Sequence, residues 1–266
     1  MAKRQYFFTP RRNKRIRRNR ASRARQLRIG HPISRKITKA QDTTDYGDQY
    51  SAPAGNLSAL QTFNRRTLYR KHMDIIQKES QDHSYYRRET DIVNFKGWRI
   101  KMNFENNNGT QPLCINVALI AFPTWDEGQN PVVTDEFFKG YKTNDRTNDF
   151  NNVTLDSLEM NHLPLNTGKF RVIKRWRKCL SQDSTMVDAK SRYWFLDKYV
   201  SFKRQMIYDA DDTEGGSITT GPSNMHVELV WWADKMLSDP NVADVTDHQF
   251  ALMGHIISFW RDYRCY

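Results

Sequence analysis

Residues 1–41 contain no aspartate and no glutamate. They hold 15 of the 42 Lys and Arg, so 42–266 carries 27 basic and 30 acidic residues, a net of −3 inside an overall +12. Other shortages exclude whole classes of protein. The three cysteines, Cys114, Cys179 and Cys265, lie far apart with no CxxC pair, which removes zinc-ribbon and thioredoxin geometry. Reduced, buried thiols are expected ahead of a disulfide. No apolar run approaches the roughly 18 residues of a membrane-spanning helix, so no membrane insertion is expected. No apolar h-region follows the N-terminal charges, which argues against a secretory signal. The arginines also crowd too densely to leave the clean apolar face of a mitochondrial presequence.

Catalytic signatures are missing as well. There is no GxSxG, P-loop, GxGxxG or HExxH, so no enzyme activity is expected and no catalytic site, metal site or cofactor is nominated. The seven histidines are scattered without ligand spacing; His226 and His255 are expected on or beside strands as ordinary, partly buried residues. The acidic run DADDTE (209–214) fails as an EF-hand, because the sixth and twelfth positions counted from Asp209 hold Glu214 and Thr220 where that loop needs Gly and Glu. A solvated loop is expected there, with a weaker Ca²⁺ site between subunits as the alternative. The sequons at Asn56, Asn108 and Asn152 read as chance matches.

What the chain does have is a cationic arm. Lys3, Arg4, Arg11, Arg12, Lys14, Arg15, Arg17, Arg18, Arg20, Arg23, Arg25, Arg28, Arg35, Lys36 and Lys39 are its charges. Like charges repel, and few apolar groups are present to offset chain entropy, so 1–41 is expected to be largely disordered on its own. Guanidinium groups contact phosphates bidentately and stack on exposed bases, which suits single-stranded nucleic acid. Short basic runs also serve nuclear import, and both roles are expected of this segment. If about ten of the charges neutralise phosphates of a single strand, log K should fall with log salt at a slope of about −7. That contribution is independent of sequence and gives affinity with little specificity.

The arm gives way to a linker at 42–57, where DTTDYGDQYSAPAGN supplies the first acids with Gly and Pro. From residue 58 onward, strand signals accumulate. In WRIKMNF (98–104), Trp98, Ile100, Met102 and Phe104 alternate with polar residues, the period of a half-buried strand. PLCINVALIAF (112–122) is apolar almost throughout and predicts a strand covered on both faces. A long, elaborated connection is expected over 123–168. KFRVIKRWRKCL (169–180) and RYWFLDKYVSFKRQMIY (192–208) predict further strands, the latter as one long strand or two short ones. MHVELVWWADK (225–235) alternates, with Met225, Val227, Leu229 and Trp231 on one face. The last segment, 247–266, favours a strand in its second half and admits a helix in its first. LYRKHMDIIQK (68–78) fits helix or strand. Long helical periodicity is otherwise scarce and no repeat is visible, which points to an antiparallel sandwich or barrel, with jelly roll a leading topology.

Inside one of these strands sits a second basic run, KRWRK. Alternation places Arg175 and Arg177 on one face and Lys174, Trp176 and Lys178 on the other. Two accounts are open: secondary contacts to nucleic acid, with Trp176 available for stacking, or an edge strand protected by charge.

The order of segments resembles capsid proteins of small circular Rep-encoding single-stranded DNA viruses, the circovirus–geminivirus–nanovirus assemblage. The resemblance is carried by the Arg-rich arm, TLYRKHMDII (67–76), RRETDIVNFKGWRIKMNFEN (87–106) with its Asn-rich turn, and CINVALIAFPTW (114–125). FKGY (138–141), KFRVIKRWRK (169–178), YVSFKRQMIY (199–208) and the closing pair MHVELVWWADK and HIISFWRDY complete it. It covers most of 60–262, and no single motif in it is diagnostic. It implies a single antiparallel jelly-roll β-sandwich over 58–266, a genome-facing arm, and self-assembly into an icosahedral shell of about 60 copies (T=1). It also implies single-stranded DNA as cargo, host nuclear-import machinery and a host receptor as partners, and a virion with a nuclear stage. The rivals are a capsid protein of a small RNA or satellite virus, a non-assembling nucleic-acid-binding regulator, and an enzyme whose metal-dependent site no motif reveals.

Overall fold

The computed structural model describes residues 39–42, 60–74, 76, 88, 90–107, 111–122, 136–139, 149–150, 155–181, 192–208, 221–236 and 248–262. The described elements are β1 (Lys39–Asp42), β2 (Gln61–Asn64), β3 (Tyr69–His72), β4 (Ile92–Asn106), β5 (Leu113–Phe122), α1 (Ser157–His162), β6 (Arg171–Leu180), β7 (Tyr193–Ile207), β8 (His226–Lys235) and β9 (His248–Asp262). They form an all-β arrangement of two antiparallel sheets. One has the order β1-β9-β4-β7, with β2 also paired to β9; the other has the order β3-β8-β5-β6. The compact unit that holds these sheets begins at Thr38. Its first strand therefore starts at Lys39, inside the stretch expected to be arm, and pairs Lys39–Asp42 with Trp260–Ile257 of β9.

Alternation in the sequence becomes a core between the sheets. Trp98, Ile100, Met102 and Phe104 of β4 are fully buried, as are Leu113, Ile115, Val117 and Leu119 of β5 and Val227, Leu229 and Trp231 of β8. The parity of β4 changes partway along. Val93 and Phe95 point inward before Lys96–Gly97, and Trp98 does so after it. A bulge between Phe95 and Gly97 accounts for the change, in register with both β7 and β9. An extra residue in one strand shifts which residues face inward by one. Gly97 has φ +152°, and a Cβ there would lie 2.0 Å from the Val200 carbonyl oxygen.

Two expectations change with the structure. β8 is buried along its whole length, where one-sided burial was expected from its alternation. The reason is a second apolar layer on the outer face of the β3-β8-β5-β6 sheet. Phe137, Phe138, Phe150, Leu155, Met160 and Leu165 of the long connection, with Phe170 just after it, pack on Ala118, Ile120, Val230 and Trp232. The segment that admitted a helix, 247–255, lies in β9 from His248 onward; pairing with β4 from Val93↔Asp262 to Asn106↔Phe250 fixes it as strand. The segment 192–208 is one long strand from Tyr193, and within 68–78 the ambiguous stretch supplies β3.

The short helix α1 is placed by a capping box. Asp156 accepts from the Leu158 N–H at 3.1 Å, while Glu159 accepts from the Asp156 N–H at 3.2 Å. These contacts satisfy backbone donors that a helix start otherwise leaves unpaired. Asn161 then ties the helix to the sheet, accepting from Asn116 at 3.0 Å and donating to the Lys235 carbonyl at 2.9 Å.

Candidate functional site

Most of the arm lies outside the described residues: Lys3, Arg4, Arg11, Arg12, Lys14, Arg15, Arg17, Arg18, Arg20, Arg23, Arg25, Arg28, Arg35 and Lys36. So do Cys265, His31, His83 and the 209–214 loop. Lys39 is in β1. Thus the strongest signal in the sequence has one residue on the described scaffold, at the edge where β1 meets β9.

KRWRK lies in β6, which is an edge strand. The expected split between its two faces is present, and it decides what each residue does. Arg175 is drawn into the outer layer of the sheet. It donates to the Leu163 carbonyl at 3.0 Å, Asn116 Oδ1 at 3.1 Å and the Asn161 carbonyl at 3.2 Å, and its guanidinium lies 5.5 Å from the Trp232 ring centre. Burial, and then the charge of Arg177, pull the Arg175 pKa below its ordinary value. Arg177 donates to the same Asn161 carbonyl at 2.9 Å. The two arginines thus fasten the C-terminal end of α1. On the other face, Trp176 is half-buried and packs against the core between the sheets. Lys174 and Lys178 stay exposed, with Lys178 Nζ donating to the Tyr193 carbonyl at 3.2 Å. An edge strand guarded by exposed lysines is the outcome of this arrangement.

Cys114 and Cys179 face each other across β5 and β6 with 3.4 Å between their sulfurs, both as free thiols. Cys114 is buried as expected and Cys179 is exposed. Burial raises the Cys114 pKa strongly, and the hydrogen bond with Cys179 adds to it.

Two buried polar clusters lie on the outer face of the same sheet, at opposite ends of β8. At one end Asp234 faces Arg65 at 3.2 Å and Arg66 at 3.9 Å, all three fully buried. Burial raises the Asp234 pKa in spite of the arginines. At the other end, His226 sits among His72, Asp74, Glu228 and Arg70. Its Nδ1 is 3.0 Å from Asp74 Oδ2, which also accepts from the Val227 N–H at 2.8 Å. Its Nε2 is 2.8 Å from Glu228 Oε1 and 3.0 Å from His72 Nδ1. Arg70 Nη2 reaches Glu228 Oε1 at 2.9 Å. Burial alone lowers the His226 pKa; the charge and hydrogen bond of Asp74, followed by those of Glu228, outweigh it and hold the group up at about 9.

This cluster was not anticipated, since His226 was expected to be ordinary and partly buried. A faint signal existed. His72-x-Asp74 and His226-x-Glu228 each repeat at the two-residue period that puts side chains on one face of a strand. What no sequence pattern shows is that β3 and β8 are neighbours, with His72 opposite Glu228. His255, by contrast, lies exposed on β9.

Neither a protein-family model nor a curated protein matches this chain.

Proposed function

We propose that the protein is a structural capsid protein that assembles into a small icosahedral shell and packages single-stranded DNA through its basic arm. One observation carries the reading: 1–38, with 14 cations and no acid, runs directly into an edge strand, Lys39–Asp42, of a two-sheet antiparallel sandwich. A polycationic segment on a nearly neutral body is of most use in many copies. About 60 subunits would bring roughly 900 positive charges to a similar number of phosphates.

The finer fold proposed is a jelly roll. Its support is the strand order, in which β1 and β2, β9, β4, β7 lie in one sheet and β3, β8, β5, β6 in the other. Consecutive strands β4 and β5, or β8 and β9, fall in different sheets, as they do when a folded-over hairpin is rolled into a sandwich. Exposed Phe195, Tyr199 and Tyr193 on β7 add apolar surface of the kind that association covers. The arm serves nuclear import as well as genome binding, and the particle is the protein's working form. Lys174, Arg177 and Lys178 are the residues of KRWRK whose exposure suits a supplementary contact to the packaged strand.

The test is electron microscopy of purified full-length protein, followed by nuclease digestion of the particle contents. Closed particles holding DNase-sensitive single strands are expected. RNase-sensitive contents would move the reading to a small RNA virus or satellite. A soluble monomer or dimer that never assembles across salt and pH would overturn it in favour of a regulator.

A further inference from the structure

We propose that His72, His226 and Glu228 form a buried binding site for a divalent transition metal of the Zn²⁺ type, with Asp74 orienting His226 from behind. The proposal does not rest on the capsid reading.

The geometry comes first. His72 Nδ1, His226 Nε2 and Glu228 Oε1 are separated by 3.0, 2.8 and 3.8 Å. The point equidistant from three atoms so spaced lies about 1.9 Å from each. Moving that point about 0.7 Å out of their plane brings all three distances to about 2.0 Å, the length of Zn–N and Zn–O bonds. The three atoms thus already surround a position of the right size. A water or a sodium ion would need them farther apart, and Ca²⁺ takes six to eight oxygens at about 2.3–2.6 Å. Two imidazoles and one carboxylate are the donor set of a borderline-soft metal.

The surroundings agree with that geometry. A metal-bound histidine usually passes its second ring N–H to a carboxylate, which fixes the ring's tautomer and angle. His226 Nδ1 has this partner in Asp74 Oδ2 at 3.0 Å. Asp74 is itself fixed by the Val227 N–H. Asp74 Oδ1 and Glu228 Oε2 are buried with no hydrogen-bond partner among the described residues, a costly condition for carboxylates. Two carboxylates, Asp74 and Glu228, meet in this dry site, and a metal at Nε2 would displace the proton that lies between His226 and Glu228. Arg70 is the competing cation. It holds Glu228 by Oε1, so it must shift towards the open Oε2 when the metal takes Oε1.

The deciding experiment uses the full-length chain, stripped with a chelator, dialysed and titrated with Zn²⁺ alone against a chromophoric competitor. One Zn²⁺ per chain is expected. Co²⁺ should give the visible absorption of a four-coordinate site and lose it on addition of Zn²⁺, a readout that needs no variant. His72→Gln should abolish uptake. Asp74→Asn should keep the stoichiometry and weaken affinity about 10- to 100-fold. His162→Ala, an exposed change on α1, should alter neither. Circular dichroism establishes that each variant is folded; if one is not, the native chain's stoichiometry and Co²⁺ spectrum decide. Absence of stoichiometric uptake by the native chain, or uptake undiminished in folded His72→Gln, overturns the proposal.

Discussion

Replacing Gly97 with alanine should unfold the sandwich more readily than any other single methyl added to a described glycine. The Cβ would stand 2.0 Å from the Val200 carbonyl oxygen and 3.1 Å from the Ser201 Cα, both backbone. Ordinary contact requires more than 1 Å of retreat, and β4 cannot retreat freely because Gly97 pairs with Ser201 on one side and Phe259 on the other. The φ of +152° adds a conformational cost for any residue with a Cβ. Backbone strain of roughly 1–3 kcal/mol and overpacking of roughly 1–3 kcal/mol together suggest about 2–6 kcal/mol. At about 2–4 °C per kcal/mol for a domain of this size, Tm should fall by roughly 4–24 °C. Two internal comparisons make the reasoning sharper. Gly254→Ala meets the Lys101 carbonyl at 2.7 Å without an unusual φ, and should cost less. Gly168→Ala meets only the Asn166 side chain, at 3.2 Å, and should stay within about 0.5 kcal/mol. The measurement is thermal unfolding of the three variants by circular dichroism at matched concentration. A Gly97→Ala protein that melts within about 2 °C of the parent, or above Gly168→Ala, would refute the idea that the bulge demands glycine.

Four further outcomes follow from particular contacts. Asp234→Asn removes the carboxylate that Arg65 and Arg66 share in a fully buried site, and chemical denaturation should record a loss of about 3–5 kcal/mol. Arg175→Gln should lower stability by about 1.5–3 kcal/mol and leave nucleic-acid affinity unchanged, whereas Lys174→Gln with Lys178→Gln should stay within about 0.5 kcal/mol; binding assays and melts on the same preparations separate the two effects. Treatment with oxidised glutathione should join Cys114 and Cys179, whose sulfurs are 3.4 Å apart, and peptide mapping without reductant would show the linked pair or its absence. Removal of 1–37 should leave the sandwich folded, because the compact unit begins at Thr38. The same truncation should flatten the salt dependence of single-strand binding from a slope of about −7 towards zero; retention of the full slope would place the phosphate contacts elsewhere.

The sequence by itself determined the division of charge and the strands with a strong pattern. Repulsion among 15 cations needs no partner to be read, and Trp98, Ile100, Met102 and Phe104 alternate whether or not the sheet is in view. The continuous apolar run of β5 announced burial on both faces for a similar reason. β8 did not, because Glu228, Asp234 and His226 look solvent-facing until Arg70, Arg65, Arg66 and Asp74 are brought against them. Those partners are 150 or more positions away for His72, Asp74 and Arg65, beyond the reach of any local periodicity. The same long-range pairing settled 247–255 as strand, since β4 supplies the hydrogen bonds that a helix would have made internally. It also divided KRWRK into two arginines that hold α1, one half-buried tryptophan packed against the core and two exposed lysines on an edge strand. Local chemistry fixes what each segment prefers; only the packing of β3 beside β8 decides that two histidines and two carboxylates meet in a dry site, because that meeting depends on which strands become neighbours.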